Sequence, residues 1–202
     1  MTPLDPAHLE ALAAADPKIA PLTVRFGHIQ YRLREEGFPA LLRLIVEQQL
    51  SVKAADTITA RLHAGLGEVS PAALLSHDDD LMRGYGLSRP KIAYARALAE
   101  ARHSGAFDTE RLNTMATEDA AAALVALKGI GRWTAEMFLI FNLSRPDVLP
   151  LDDLGLIRAI SVNYFSGEPV TRSEAREVAA NWEPWRTVAT WYMWRSLDGV
   201  AE

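Results

Sequence analysis

Apolar residues recur at spacings of three and four along most of this chain, as at Leu41, Leu42, Ile45 and Val46, and again at Ala54, Ile58 and Leu62. That period lines them up on one stripe of a helix. No stretch shows the sustained alternation of a half-buried strand, so the chain reads as nearly all helix. Gly65, Gly67, Pro71, Gly84, Gly86, Gly105, Gly129 and Gly131 punctuate the periodic segments. Ser70 with Pro71, and Ser88 with Pro90, read as N-caps with proline in the first turn. Thr117-Glu118-Asp119 opens an alanine-rich helix that runs through Leu124 to Leu127. Pro146 to Pro150 reads as a structured, non-helical connection. A doubled aspartate and an apolar helix bearing Leu154, Leu156, Ile157 and Ile160 follow it. Trp182, Trp185, Trp191 and Trp194 crowd the C-terminal end, which is therefore either a packed core element or an aromatic wall.

Composition narrows the function classes. The 202 residues are 49% hydrophobic and 23% charged, ordinary for a globular protein. No apolar run approaches the roughly 20 residues needed to span a bilayer. The start, Met1-Thr2-Pro3-Leu4-Asp5, has no basic stretch leading into an apolar one. A cytoplasmic protein is the expectation. The absence of cysteine excludes disulfides, thiolate metal sites and thiol nucleophiles. His8, His28, His63, His77 and His103 are scattered, with no pair at a metal-ligand spacing. The net charge of -5 argues against a broad basic face. It leaves room for a local patch, because acidic residues gather elsewhere, as at Asp78-Asp79-Asp80.

Candidate chemistry begins at Ala122 to Phe141. An apolar helix ends, Gly129-Ile130-Gly131 makes a tight turn, and a second helix opens with Arg132-Trp133-Thr134-Ala135. The amides of a glycine turn and of a first helical turn lack internal partners, which makes an anion site. Lys128 and Arg132 flank it. The pattern is that of a helix-hairpin-helix, which suits one DNA phosphate gripped without base reading. An ordinary turn between two helices is the alternative. Downstream, Asp153 stands at the start of the next helix, where the helix dipole favours negative charge. Such a carboxylate can stabilise positive charge on a sugar ring as its base departs. The plainer reading is that Asp152 or Asp153 caps the helix, one of them leaving the other free.

Together these segments resemble a family. Leu127-Lys128-Gly129-Ile130-Gly131-Arg132-Trp133-Thr134-Ala135, with Val148-Leu149-Pro150-Leu151-Asp152-Asp153-Leu154-Gly155, is similar to the hairpin and Gly/Pro-Asp segment of the helix-hairpin-helix DNA glycosylases. The nearest branch is bacterial DNA-3-methyladenine glycosylase II. Ile45-Val46-Glu47-Gln48-Gln49-Leu50-Ser51 resembles its early helix and duplex-probing loop. Gly86-Leu87-Ser88 with Lys91 and Tyr94 fits, and Trp182-Glu183-Pro184-Trp185-Arg186 onward resembles its C-terminal helix. The likeness runs over about residues 38 to 198.

The resemblance implies an all-α fold of two helical lobes flanking a cleft, one near residues 38–145 and one from 1–37 plus 146–202. It leaves no room for an extra N-terminal β-containing domain. It makes Asp153 the catalytic aspartate, and Lys128, Gly129, Gly131, Arg132 and Thr134 the phosphate grip. Lyase-type relatives carry a lysine at the position of Trp133, so tryptophan there implies hydrolysis, with no lyase step. An indole face also attracts a cationic alkylated purine by roughly 0.5–2 kcal/mol.

Trp133, Trp194, Met137 and Leu154 are the implied base pocket, although core packing is the usual lot of such tryptophans. Gln49 matches the wedge position, with Gln48 and Leu50 beside it. A polar helix end is the alternative for both glutamines. Main-chain carbonyls of Val125, Leu127 and Ile130 are implied ligands of a monovalent cation, sodium or potassium, with no other cofactor required. The implied partner is double-stranded DNA containing alkylated bases, such as 3-methyladenine or 7-methylguanine, met by a monomer at the nucleoid without an obligate protein partner. A non-catalytic DNA-binding hairpin, a glycosylase for oxidised or mismatched bases, and an interaction scaffold are the competing readings.

Overall fold

The computed structural model describes residues 6–28 and 35–198. Its helices, in chain order, are α1 (Pro6–Ala15), α2 (Ala20–Phe26), α3 (Phe38–Glu47), α4 (Val52–Leu66), α5 (Pro71–Ser76), α6 (Asp79–Gly84) and α7 (Arg89–Ser104). They continue as α8 (Thr109–Thr114), α9 (Thr117–Val125), α10 (Arg132–Phe141), α11 (Leu154–Tyr164), α12 (Arg172–Ala179) and α13 (Arg186–Ser196), with a 3-10 turn at Ala180–Trp182. There is no strand among the described residues. The chain divides into two compact units, Leu33–Leu143 and a second formed by Met1–Arg32 with Ser144–Glu202.

The middle unit is built on α7, which packs against α3, α5 and α6, while α10 packs against α3 and α9. Of the stripes read from sequence, Leu41, Leu42, Ile45 and Val46 on α3 and Leu62 on α4 are buried, while Ala54 and Ile58 are only partly so because α4 turns Ala55 and Thr59 to the core. Phe107 and Phe138 meet edge to face, with centroids 5.8 Å apart. Caps follow side-chain chemistry. Ser70 Oγ accepts from Ala73 N, as its position predicts. Ser88 holds the cap position of α7, but its side chain makes no capping bond. Thr117 lies inside α9 rather than at its cap, and the helix stops at Val125, two residues short of Leu127.

The second unit buries Leu12, Ile19, Leu156, Ile160, Trp182, Tyr192 and Met193 together. Its knot is Asp16, only 2% exposed. The Asp16 carboxylate accepts from Tyr164 Oη at 2.6 Å, Trp182 Nε1 at 2.8 Å and Lys18 N at 2.8 Å. A buried carboxylate is tolerable only when its lone pairs are met in this way. Burial, with Asp16 beside it, drives the Tyr164 hydroxyl far above the usual tyrosine pKa. The connection before α11 is pinned to α13: Arg186 grips Asp147 with two bonds of 2.7 and 2.8 Å, and Val148 N donates to Thr187 Oγ1. The tryptophans serve mostly as core, Trp182 wholly buried and Trp185, Trp191 and Trp194 partly so.

Candidate functional site

In the middle unit the hairpin joins α9 to α10. Ile130, 4% exposed, plugs the turn into the core. Gly129 has φ +85°, and a Cβ there would fall 2.2 Å from the Tyr94 ring. Glycine is therefore required twice over, by backbone and by space. Gly131 is different. It is extended, at φ -86° and ψ 172°, and a Cβ there would meet open space. No internal contact explains that glycine. No side chain caps α10, whose first-turn amides it precedes. Lys128 is exposed beside it. The turn lines a broad recess of about 730 Å³ together with Gln48, Gln49, Tyr94, Trp133 and Thr134.

Several sequence expectations change here. The Arg132 guanidinium pairs with Glu118 through bonds of 2.8 and 2.9 Å and with Glu136 at 2.7 Å. Those bonds raise its pKa beyond the ordinary arginine range. Two carboxylates occupy its guanidinium and offset its charge at the hairpin. Thr134, 3% exposed, accepts from Gln48 Nε2 at 3.2 Å and faces inward rather than toward a phosphate. Gln48 also donates to Gly129 O at 2.9 Å, which removes it from the wedge candidates. Gln49 and Leu50 remain exposed, Gln49 in a left-handed conformation at φ +58°. Met137 is buried at 4% in the core of the middle unit, whereas Trp133, half-buried, lines the recess beside the hairpin.

The second unit holds Asp153. It is itself the N-cap of α11: Oδ1 accepts from Leu156 N at 2.7 Å and from Trp194 Nε1 at 2.8 Å. The capping and chemical readings fall on one residue. Asp152 is no alternative cap, being paired with Arg172 at 2.7 Å. Gly155 clears the site, since a Cβ there would lie 3.1 Å from Asp153 Oδ1 and 3.4 Å from the Trp194 indole. Trp194 thus meets the carboxylate through its N–H, a role the sequence did not suggest. Leu154 is 84% exposed, a surface residue of its unit rather than the lining of an enclosed pocket. Lys91, whose ammonium holds main-chain carbonyls at the end of α3, was also missed as a site residue. Only the resemblance of its segment singled it out.

No group of three or more His, Asp or Glu residues suited to a metal ion occurs among the described residues. The hairpin carbonyls are a different case. Val125 ends α9, where the last carbonyls lack helical partners and the dipole is negative. Leu127 O accepts from Ile130 N at 3.1 Å, leaving its second lone pair for another contact. This neutral oxygen set fits a monovalent cation better than a divalent one.

Comparison with known proteins shows the family. The chain is 34% identical over 167 residues to "DNA-3-methyladenine glycosylase 1" of Schizosaccharomyces pombe, covering 81% of this chain and 73% of that protein. A crystal structure of DNA-3-methyladenine glycosidase from Bacillus halodurans superposes with a TM-score of 0.87 at 34% identity, covering 98% of this chain and 92% of that one. The S. pombe 3-methyladenine DNA glycosylase in complex with abasic DNA superposes with a TM-score of 0.87 at 30% identity, over 96% and 98% of the two chains. Residues 42–186 match the family model described as HhH-GPD superfamily base excision DNA repair protein. The chain belongs to the HhH-GPD superfamily of base excision DNA repair proteins.

Proposed function

We propose that the protein is a monofunctional DNA glycosylase that hydrolyses the N-glycosidic bond of alkylated bases in duplex DNA. The observation that carries this is the Asp153 carboxylate, held by Leu156 N and Trp194 Nε1 through one oxygen. Two donors fix its direction, as an electrostatic catalyst requires. Relatives named for 3-methyladenine removal support the substrate class.

The hairpin grips one phosphate through the amides around Gly131, with Lys128 adding charge. A monovalent cation on the carbonyls of Val125, Leu127 and Ile130 would add positive potential at the same phosphate. The alkylated base leaves the stack, at a cost of a few kcal/mol. Trp133 offers an electron-rich face to its positive charge. The C1′–N bond breaks with both electrons going to the base. A 7-methylguanine, cationic in the strand, departs neutral and needs no proton. Asp153 stabilises the oxocarbenium-like sugar. Water then adds to C1′ and gives up a proton, leaving free base and an abasic strand. With tryptophan rather than lysine at position 133 no amine attacks the sugar, so strand cleavage does not follow. The protein acts as a monomer on its DNA.

The test is Asp153→Asn on a duplex carrying one 7-methylguanine. Asparagine still caps a helix, so folding and duplex binding persist. Single-turnover base release falls at least on the order of 100-fold. Release at the wild-type rate would remove Asp153 from the mechanism. A wild-type protein that binds the duplex but frees no base would leave a non-catalytic DNA-binding module.

A further inference from the structure

Between α3 and α4 the chain makes a short turn whose exposed tip is Gln49-Leu50, and the structure shows how that tip is held. Lys91, on α7, donates to Val46 O at 2.8 Å and to Gln48 O at 2.7 Å. Carbonyls at the end of a helix lack internal partners and carry the negative end of its dipole, so an ammonium there answers both. Burial lowers the Lys91 pKa below that of an ordinary lysine. Partial burial also strengthens each bond the group makes.

The side chain of Gln48 reaches the other way, to Gly129 O and Thr134 Oγ1 in the hairpin. Gly129 in turn lies against the ring of Tyr94. Tyr94 follows Lys91 by three residues on α7 and shares its face. The contacts close a ring: Lys91 to the main chain at Gln48, the Gln48 amide to Gly129, Gly129 to Tyr94, and Tyr94 back along α7 to Lys91. Every member lies in the middle unit.

We propose that this ring is a bracket that fixes the offset between the phosphate-gripping hairpin and the Gln49-Leu50 tip, making Lys91 and Gln48 positioning residues for base extrusion. Phosphate grip and tip must act on the same nucleotide step. A bracket keeps them in register without touching DNA itself. The proposal rests on the reading of the protein as a duplex-acting glycosylase.

The experiment compares wild type with Lys91→Met, Lys91→Arg and Gln48→Leu. The probe is a duplex bearing one 7-methylguanine with 2-aminopurine as the opposing base. Duplex affinity comes from anisotropy, extrusion from the 2-aminopurine rise, and chemistry from single-turnover base release. A parallel duplex carries an abasic analogue in place of the lesion. Lys91→Met and Gln48→Leu keep duplex affinity within about threefold, since the grip is main-chain. They lose most of the fluorescence rise on both duplexes, and base release falls on the order of 100-fold, as misplacement by about 1 Å costs. Lys91→Arg, which keeps the charge, restores both signals. A full fluorescence rise in Lys91→Met and Gln48→Leu overturns the bracket, and so does equal loss of affinity and extrusion. Should Lys91→Met fail to fold by circular dichroism, Gln48→Leu and Lys91→Arg decide the matter alone. If wild type frees no base, the glycosylase reading fails, while the abasic duplex still reports on the bracket.

Discussion

Two helices of this protein begin in opposite electrostatic states. Helix α10 starts after Gly131 with no side-chain cap, and the space beyond that glycine is open. Helix α11 starts with its own carboxylate, Asp153, bonded to Leu156 N. Both ends carry the same surplus of amides and the same positive dipole end. One leaves that charge for an external anion. The other cancels it and presents a carboxylate to an external cation. The cap residue, not the helix, sets the sign of what each end can receive: under the function proposed above, a phosphate at one and a sugar bearing positive charge at the other.

Exchanging features between the two ends tests this contrast. Gly129→Ala breaks the hairpin outright. The left-handed backbone and the Tyr94 ring together cost about 2–4 kcal/mol of stability, read as a lowered denaturant midpoint. Gly131→Ala, two residues on, changes stability by less than about 0.5 kcal/mol, because nothing opposes its Cβ. Equal losses from the two would mean that Gly131 has an internal role the structure does not contain. Gly131→Asp gives α10 the cap that α11 has. The melting temperature rises, by the equivalent of about 1 kcal/mol, while duplex affinity falls by at least about tenfold. A tighter complex from that variant would end the reading of this helix start as a phosphate site. Trp194→Phe keeps an aromatic ring, smaller than the indole, and removes the donor to Asp153. Base release slows by about tenfold, with affinity unchanged, as one hydrogen bond to a charged group is worth. The smallest effect is that of Lys128→Ala, which lowers the steepness of affinity against salt by about one ion.

The sequence displays the helices because burial follows the three-and-four spacing: Leu41, Leu42, Ile45, Val46 and Leu62 are buried as it requires, although on α4 Ala55 and Thr59 are buried more deeply than Ala54 and Ile58. It also displays the hairpin, since Gly129 and Gly131 are adjacent in the chain to what they serve. What stayed hidden depends on partners distant in sequence. Local pattern places Arg132 and Thr134 at the hairpin but does not show their partners Glu118 and Gln48. Only the Arg132–Glu136 pair, four residues apart on one helix face, could have been read in advance. Asp153 read as either cap or catalyst because a local pattern cannot show that Trp194, 41 residues on, would join the same oxygen. Gln48 and Gln49 are chemically alike, and only the hairpin, through Gly129 O and Thr134 Oγ1, distinguishes the inward side chain from the outward one.

The knot at Asp16 has a consequence for how the protein is made. Tyr164 lies 148 residues from Asp16, and Trp182 lies 166. The unit they close cannot be completed until nearly the whole chain has left the ribosome. The middle unit, by contrast, is one uninterrupted stretch ending at Leu143. Chains emerge at about 5–20 residues per second and fold in units as they do so. For the last seconds of synthesis, therefore, the nascent chain carries a finished hairpin without Asp153 in its final setting. Under the function proposed above, it would during that interval hold a phosphate without breaking a glycosidic bond.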